Sequence, residues 1–117
     1  MDIQIAAEGS CRYVDEIRGV LQTEQDVTDL IGLCGERDAD RLLLRASNLP
    51  KEFFDLKSGL AGMILQKFMN YHLTVAIVVP ADQIAGRFKE LALETSGNRN
   101  LHIFTELETA RDWLTGK

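Results

Sequence analysis

Long apolar runs are scarce in this chain. The longest surrounds Val75 to Pro80, far short of the roughly 20 residues that a membrane-spanning helix needs. The opening stretch MDIQIAAEGS has neither a basic start nor a long apolar centre, so no signal peptide is expected there. Cysteine and histidine are equally thin. Cys11 and Cys34 form no C-x-x-C pair, and His72 and His102 stand alone. A structural zinc site needs four clustered ligands, so no metal is expected, and nothing calls for a cofactor. The two cysteines read as small buried side chains of a protein in the reducing cytoplasm. Basic runs are missing too. Lys plus Arg number 13 against 18 Asp plus Glu, a net charge of −5. That balance argues against nucleic acid and against an anionic membrane as partners. No G-x-S-x-G elbow, Walker loop or dinucleotide fingerprint occurs, so no enzyme is expected.

What is present suits an ordered α/β protein. The 117 residues are 45% hydrophobic and 26% charged. A folded chain of this size hides roughly 66% of its extended surface, enough for a core without disulfides. Residues 1–117 read as one domain, with no repeat and no linker to divide them.

Periodicity assigns the elements. Ile3 and Ile5 alternate with polar residues as in a half-buried strand. A turn at Glu8-Gly9-Ser10 leads to a second strand from Cys11 to Val14, making a hairpin. Thr23 and Asp26 have capping-box spacing, and Val27, Leu30, Ile31 and Cys34 share the helical face behind them. Gly35 is placed to end that helix. Leu42-Leu43-Leu44 and the run LTVAIVV at Leu73 to Val79 read as strands covered on both faces, as in parallel sheets. After Pro80, Asp82 has the right chemistry to cap a helix with Ile84, Phe88, Leu91 and Thr95 on one face, broken at Ser96-Gly97-Asn98. Leu101 to Phe104 make a last strand. Thr105 and Glu108 pair as another capping box before Leu107, Ala110 and Leu114, with Trp113 packing alongside. The order predicts a mostly parallel sheet of about five strands with an antiparallel N-terminal hairpin, flanked by about four helices.

The segment Lys51–Tyr71 is the unusual one. Phe53, Leu56, Leu60, Ile64, Phe68 and Tyr71 recur at helical spacing, and Pro50 suits a first turn. A helix over that whole range would be about 31 Å long, whereas the strands beside it span about 17–20 Å. Gly59 and Gly62 each cost about 1 kcal/mol against Ala in a helix. Two readings follow. Either Lys51 to Asp55 is a short turn and the helix starts at Ser58 as N-cap, or the glycines let one helix lie close to the sheet. In the first case a phosphate on Ser58 would face exposed helix amides.

The stretches FFDLKSGLAGMILQKF, LTVAIVV and IFTELETARDWL resemble a small bacterial family known only as a domain of unknown function. That family in turn is similar to the STAS domain of anti-sigma factor antagonists. Those proteins carry Asp-Ser-Ser-Gly-Leu-Gly at a helix start, where a kinase that is also the anti-sigma factor phosphorylates the second Ser. Ser58-Gly59-Leu60 matches the Ser-Gly-Leu of that motif, and Asp55 stands near its Asp. Two residues rather than one separate Asp55 from Ser58, and Ala61 intervenes before Gly62. The resemblance implies a STAS-like regulatory module, Ser58 as its phosphorylation site, and a protein partner, a kinase or regulator, on Asp55, Lys57, Ser58, Gly59 and Gly62.

Other residues carry weaker signals. Asp38, Asp40 and Arg41 read as a solvated loop, and Glu106, Glu108, Arg111 and Asp112 as an exposed helix face with local ion pairs. His102 reads as a structural histidine within its strand. Open α/β sheets place ligands outside the carboxyl ends of their strands. There Ser47, Asn48 and Asp82 would line a cleft, which makes a small-ligand-binding domain the alternative to a regulatory module. A third reading is a homodimer paired through the hairpin edge.

Overall fold

The computed structural model describes residues 1–84, 86–95 and 99–116. Two antiparallel strands open it, β1 (Asp2–Glu8) and β2 (Cys11–Arg18). Helix α1 (Glu24–Glu36), β3 (Arg41–Arg45), α2 (Leu60–Asn70), β4 (Thr74–Val78), α3 (Gly86–Thr95), β5 (Leu101–Phe104) and α4 (Leu107–Thr115) follow. The strands lie in the order β1-β2-β3-β4-β5, and every pair after the first is parallel. The α/β class and the strand directions are those expected.

Each central strand feeds two cores, which explains its unbroken apolar run. Leu42, Leu44, Val75, Ile77, Leu101 and Ile103 join the core shared with α1, α2 and α3. Leu43 and Ala76 point the other way, into a smaller core with Tyr13, Ala110 and Leu114 of α4. A sheet whose strands advance in one direction through right-handed crossovers carries its connecting helices on one face. The last helix, which leads to no further strand, closes the other. Trp113 packs against this smaller core, as its helical position suggested. Its ring lies 5.9 Å from His102 and 5.6 Å from Phe104, which gives His102 an aromatic setting in β5.

Helix ends follow capping chemistry where the side chains can reach. The Asp26 amide donates to Thr23 Oγ1 at 3.2 Å, and the amides of Gln22 and Thr23 donate to Asp26 Oδ2 at 3.0 Å. Those two bonds, Gln22's foremost, hold the Asp26 carboxyl below its usual range. Three expected boundaries move. Gly35 lies inside α1, and the positive φ (55°) that turns the chain away falls on Asp38. Asp82 belongs to a short 3-10 turn, Ala81–Gln83, and does not cap α3, which begins at Gly86. The Thr105–Glu108 box does not form, because the N-cap is one residue later, at Glu106, with no side-chain bond. The expected break at Ser96-Gly97-Asn98, and the face of Thr95, lie outside the described residues.

A β-bulge shapes β2. Gln4 opposes Glu16 and Ile5 opposes Val14, so Asp15 is an extra residue. Beyond it β2 leaves its parallel neighbour, and Val14–Leu42 is the register pair that β2 and β3 keep. Side chains bridge the gap that opens. Arg45 donates to the Asp15 carbonyl at 2.7 Å, and Asn48 donates to the carbonyls of Ile17 (2.8 Å) and Gly19 (3.0 Å). Arg111 of α4 clamps the bulge from the other face, with two bonds to the Asp15 carboxylate at 3.0 and 3.2 Å and a third to Glu108 at 2.9 Å. The local ion pair with Glu108 was expected of this helix face; the link to Asp15 was not.

Candidate functional site

The long connection from β3 to α2 carries the residues singled out in the sequence. It is built of three 3-10 turns, Ala46–Asn48, Lys51–Phe54 and Leu56–Ser58. Pro50, with φ −72°, starts the second turn and leaves no amide to satisfy. That turn sinks Phe53 completely into the core and half-buries Phe54. The rings of Phe53, Phe54 and Phe88 of α3 meet at centroid distances of 5.1 to 6.0 Å, mostly edge to face. The apolar spacing of this segment therefore serves two different elements. Phe53 anchors a turn, while Ile64 and Phe68 are among the buried positions of α2. Tyr71, expected on the same face, stands 57% exposed past the helix end.

The helix is thus interrupted, and Gly59 is the reason. It holds φ +75° as the N-cap of α2, a conformation that costs other residues about 1 kcal/mol or more. Ser58 is not the cap but the last residue of the turn before it. Close packing does not explain either glycine: a Cβ at Gly59 or Gly62 would meet nothing within 4 Å.

Ser58 ties this connection together. Its hydroxyl faces the Glu52 carbonyl at 2.6 Å and the Asp55 carbonyl at 2.8 Å, and it accepts the Leu60 amide at 3.2 Å. Asp55 is spent locally: its carboxylate accepts the Lys57 amide at 3.1 Å. Asp55, Lys57, Ser58, Gly59 and Gly62 are all exposed. They lie along one continuous segment at the carboxyl end of β3.

The three residues of the expected ligand cleft differ in their settings. Ser47 and Asp82 are exposed in separate 3-10 turns. Asn48 is 4% exposed, and both of its N–H donors are taken by Ile17 and Gly19 while its Oδ1 accepts the Arg45 amide at 3.0 Å. The amide that would have met a ligand is a bridge within the sheet.

Residues 8–114 match the family described as Domain of unknown function (DUF4180). The chain belongs to that family. No curated protein and no solved structure matches it.

A concavity of this DUF4180 chain lies at the other end of the sheet. A cavity of about 560 Å³ opens at the amino ends of the parallel strands, between the last turns of α1 and α2. Arg12, Asp38, Asp40, Arg41 and Tyr71 line it, with Cys34 at its wall. Burial pushes the Cys34 thiol up to about 11, so it stays protonated at neutral pH and is no nucleophile. Asp38, Asp40 and Arg41 had read as a solvated loop. The two aspartates are indeed exposed, yet the fold gathers all three around one hollow with Arg12. No spacing signal announces this, because Arg12 belongs to a different strand. Among the described residues no group of three or more metal-ligating side chains occurs, and no helix is long and apolar enough to cross a membrane.

Proposed function

We propose that the chain is a STAS-like regulatory module that docks a protein partner on the exposed segment Asp55 to Gly62 and is switched by phosphorylation of Ser58. One observation carries the reading: the Ser58 hydroxyl is exposed and at the same time holds the turn before α2 closed. A phosphoryl group on Oγ removes the proton that now lies between the carbonyls of Glu52 and Asp55. It also sets about −1.5 to −2 charges beside those oxygens. The bonds that close the turn are lost and become repulsive, while the α2 amides attract the new charge. The segment must rearrange, and with it the surface offered by Asp55 and Lys57. The Ser-Gly-Leu match supports the same residue independently.

The test uses the full chain recovered from its own host. Mass spectrometry should find a fraction phosphorylated at Ser58, and the Ser58→Ala variant should lose it. A partner held by the unmodified chain should be released by Ser58→Glu. If Ser58 stays unmodified in every growth phase and both variants hold the same partner equally, the reading fails.

A further inference from the structure

The cavity at the amino ends of the strands is separate from the Ser58 segment, and its construction breaks a local rule twice. The residue after a helix that turns left-handed is most often glycine. After α4 it is Gly116, with φ 80°. After α1 it is Asp38 (φ 55°) and after α2 it is His72 (φ 58°), the two non-glycine residues at positive φ among those described. Asp38 lines the cavity, and His72 lies between two residues that do, Tyr71 and Leu73. Asp and His tolerate this conformation better than most residues, but glycine has no penalty there. The Asp38 carboxylate returns nothing to the fold, since it has no hydrogen bond or ion pair among the described residues.

The charges around the hollow are balanced. Arg12 and Arg41 supply two guanidinium groups, and Asp38 and Asp40 two carboxylates. Each guanidinium spends one N–H on a helix C-terminal carbonyl, Arg12 on Arg37, at 2.9 Å, and Arg41 on Leu114 of α4, and Arg41 also pairs with Asp40 at 4.0 Å. A guanidinium has five N–H donors, so both keep donors to offer. A dianion entering here meets two aspartates, and a dication meets two arginines. A molecule carrying one charge of each sign meets a complement for both. The C-terminal ends of α1 and α2, and the exposed ring of Tyr71, add further attraction for its positive end. The volume lies within the range of small-molecule sites.

We propose that this cavity binds a small zwitterion, with its carboxylate on Arg12 and its ammonium on Asp38. The protonated Cys34 thiol at the wall leaves the association noncovalent.

The probes are unbranched ω-amino acids from glycine to 6-aminohexanoate, each set against the diacid and the diamine of equal chain length. Backbone amide shifts of residues 10–12, 34–41 and 71–73 report binding to the full chain. At the best length the amino acid should bind about tenfold or more tightly than its matched diacid and diamine. Arg12→Gln should weaken it by about tenfold. Asp38→Gly should weaken it similarly while raising the thermal midpoint, because glycine relieves the backbone. A structural role for Asp38 would not produce that pair of effects. The proposal is overturned if no amino acid shifts these amides at millimolar concentration. It is overturned equally if a diacid or diamine binds as tightly, or if Asp38→Gly leaves affinity unchanged.

Discussion

At the carboxyl end of the parallel strands, β2 and β3 splay apart after the bulge at Asp15, and the chain fills the gap with its own polar side chains. At the amino end, Arg12, Asp38, Asp40 and Arg41 surround a hollow of about 560 Å³. Open α/β sheets ordinarily use the first of these ends for ligands. Here β2 and β3 share register only at Val14–Leu42, and Arg45 and Asn48 satisfy backbone groups that the broken ladder leaves behind. A buried unpaired carbonyl costs about 1–3 kcal/mol, so those side chains are not free to turn outward. The comparison turns on bonding capacity rather than on position in the fold class. A crevice is a binding site only if its polar lining has bonding capacity left over. At the amino end it has: the Asp38 carboxylate and several guanidinium protons are uncommitted within the described residues.

The largest test of this contrast is Asn48→Ala. It removes three bonds to backbone and strands the buried Ile17 carbonyl and the part-buried one of Gly19, so a loss of about 3 kcal/mol is expected in urea unfolding. Arg12→Gln at the exposed opposite end should stay within about 0.5 kcal/mol. Similar losses for the two variants would erase the difference between a filled end and an open one.

Next in size is an alkaline effect at the amino end. The Cys34 thiol ionises at an ordinary 9.0 when unfolded and at about 11 when folded. A raised pKa means that its full contribution is present below 9.0 and is lost as pH rises toward 11. That loss should reach about 2–3 kcal/mol, and Cys34→Ala should unfold with a correspondingly flatter dependence between those pH values. An unchanged slope in the variant would place the alkaline loss elsewhere.

The smallest effects come as a pair of opposite sign. Gly59→Ala should destabilise by about 1 kcal/mol because of its positive φ, although space is available. Gly62→Ala, exposed within α2 with nothing near its Cβ, should stabilise by up to about 1 kcal/mol. Thermal midpoints moving the same way would show that the two glycines share one role after all.

Much of the fold was legible in periodicity. Leu42-Leu43-Leu44 and Val75 to Val79 reveal two-sided burial because only a strand covered on both faces can be apolar at every position. The Thr23–Asp26 box was readable because both partners of its bonds lie within one turn. The Thr105–Glu108 box and the Asp82 cap were misread for a related reason. Short polar residues near a helix start are interchangeable in sequence, and tertiary packing decides which residue begins the helix. Of the candidate residues, Ser58 and its neighbours are exposed, which their spacing in the sequence had left open. The engagement of Asn48 was not legible, because its partners are Ile17 and Gly19 on another strand.

By itself the sequence determined the number, order and type of the elements, since these rest on local periodicity and on apolar area to be buried. For Lys51 to Tyr71 it left two readings open, a helix starting at Ser58 and a single helix lying close to the sheet. The tertiary structure decided what that segment does with its aromatics, how the bulge at Asp15 parts two strands, and which end of the sheet stays open. Those outcomes depend on bonds between residues far apart in the chain, such as Arg111 to Asp15 and Arg41 to Leu114. No spacing along the chain encodes them, because their geometry exists only once the sheet has brought the strands together.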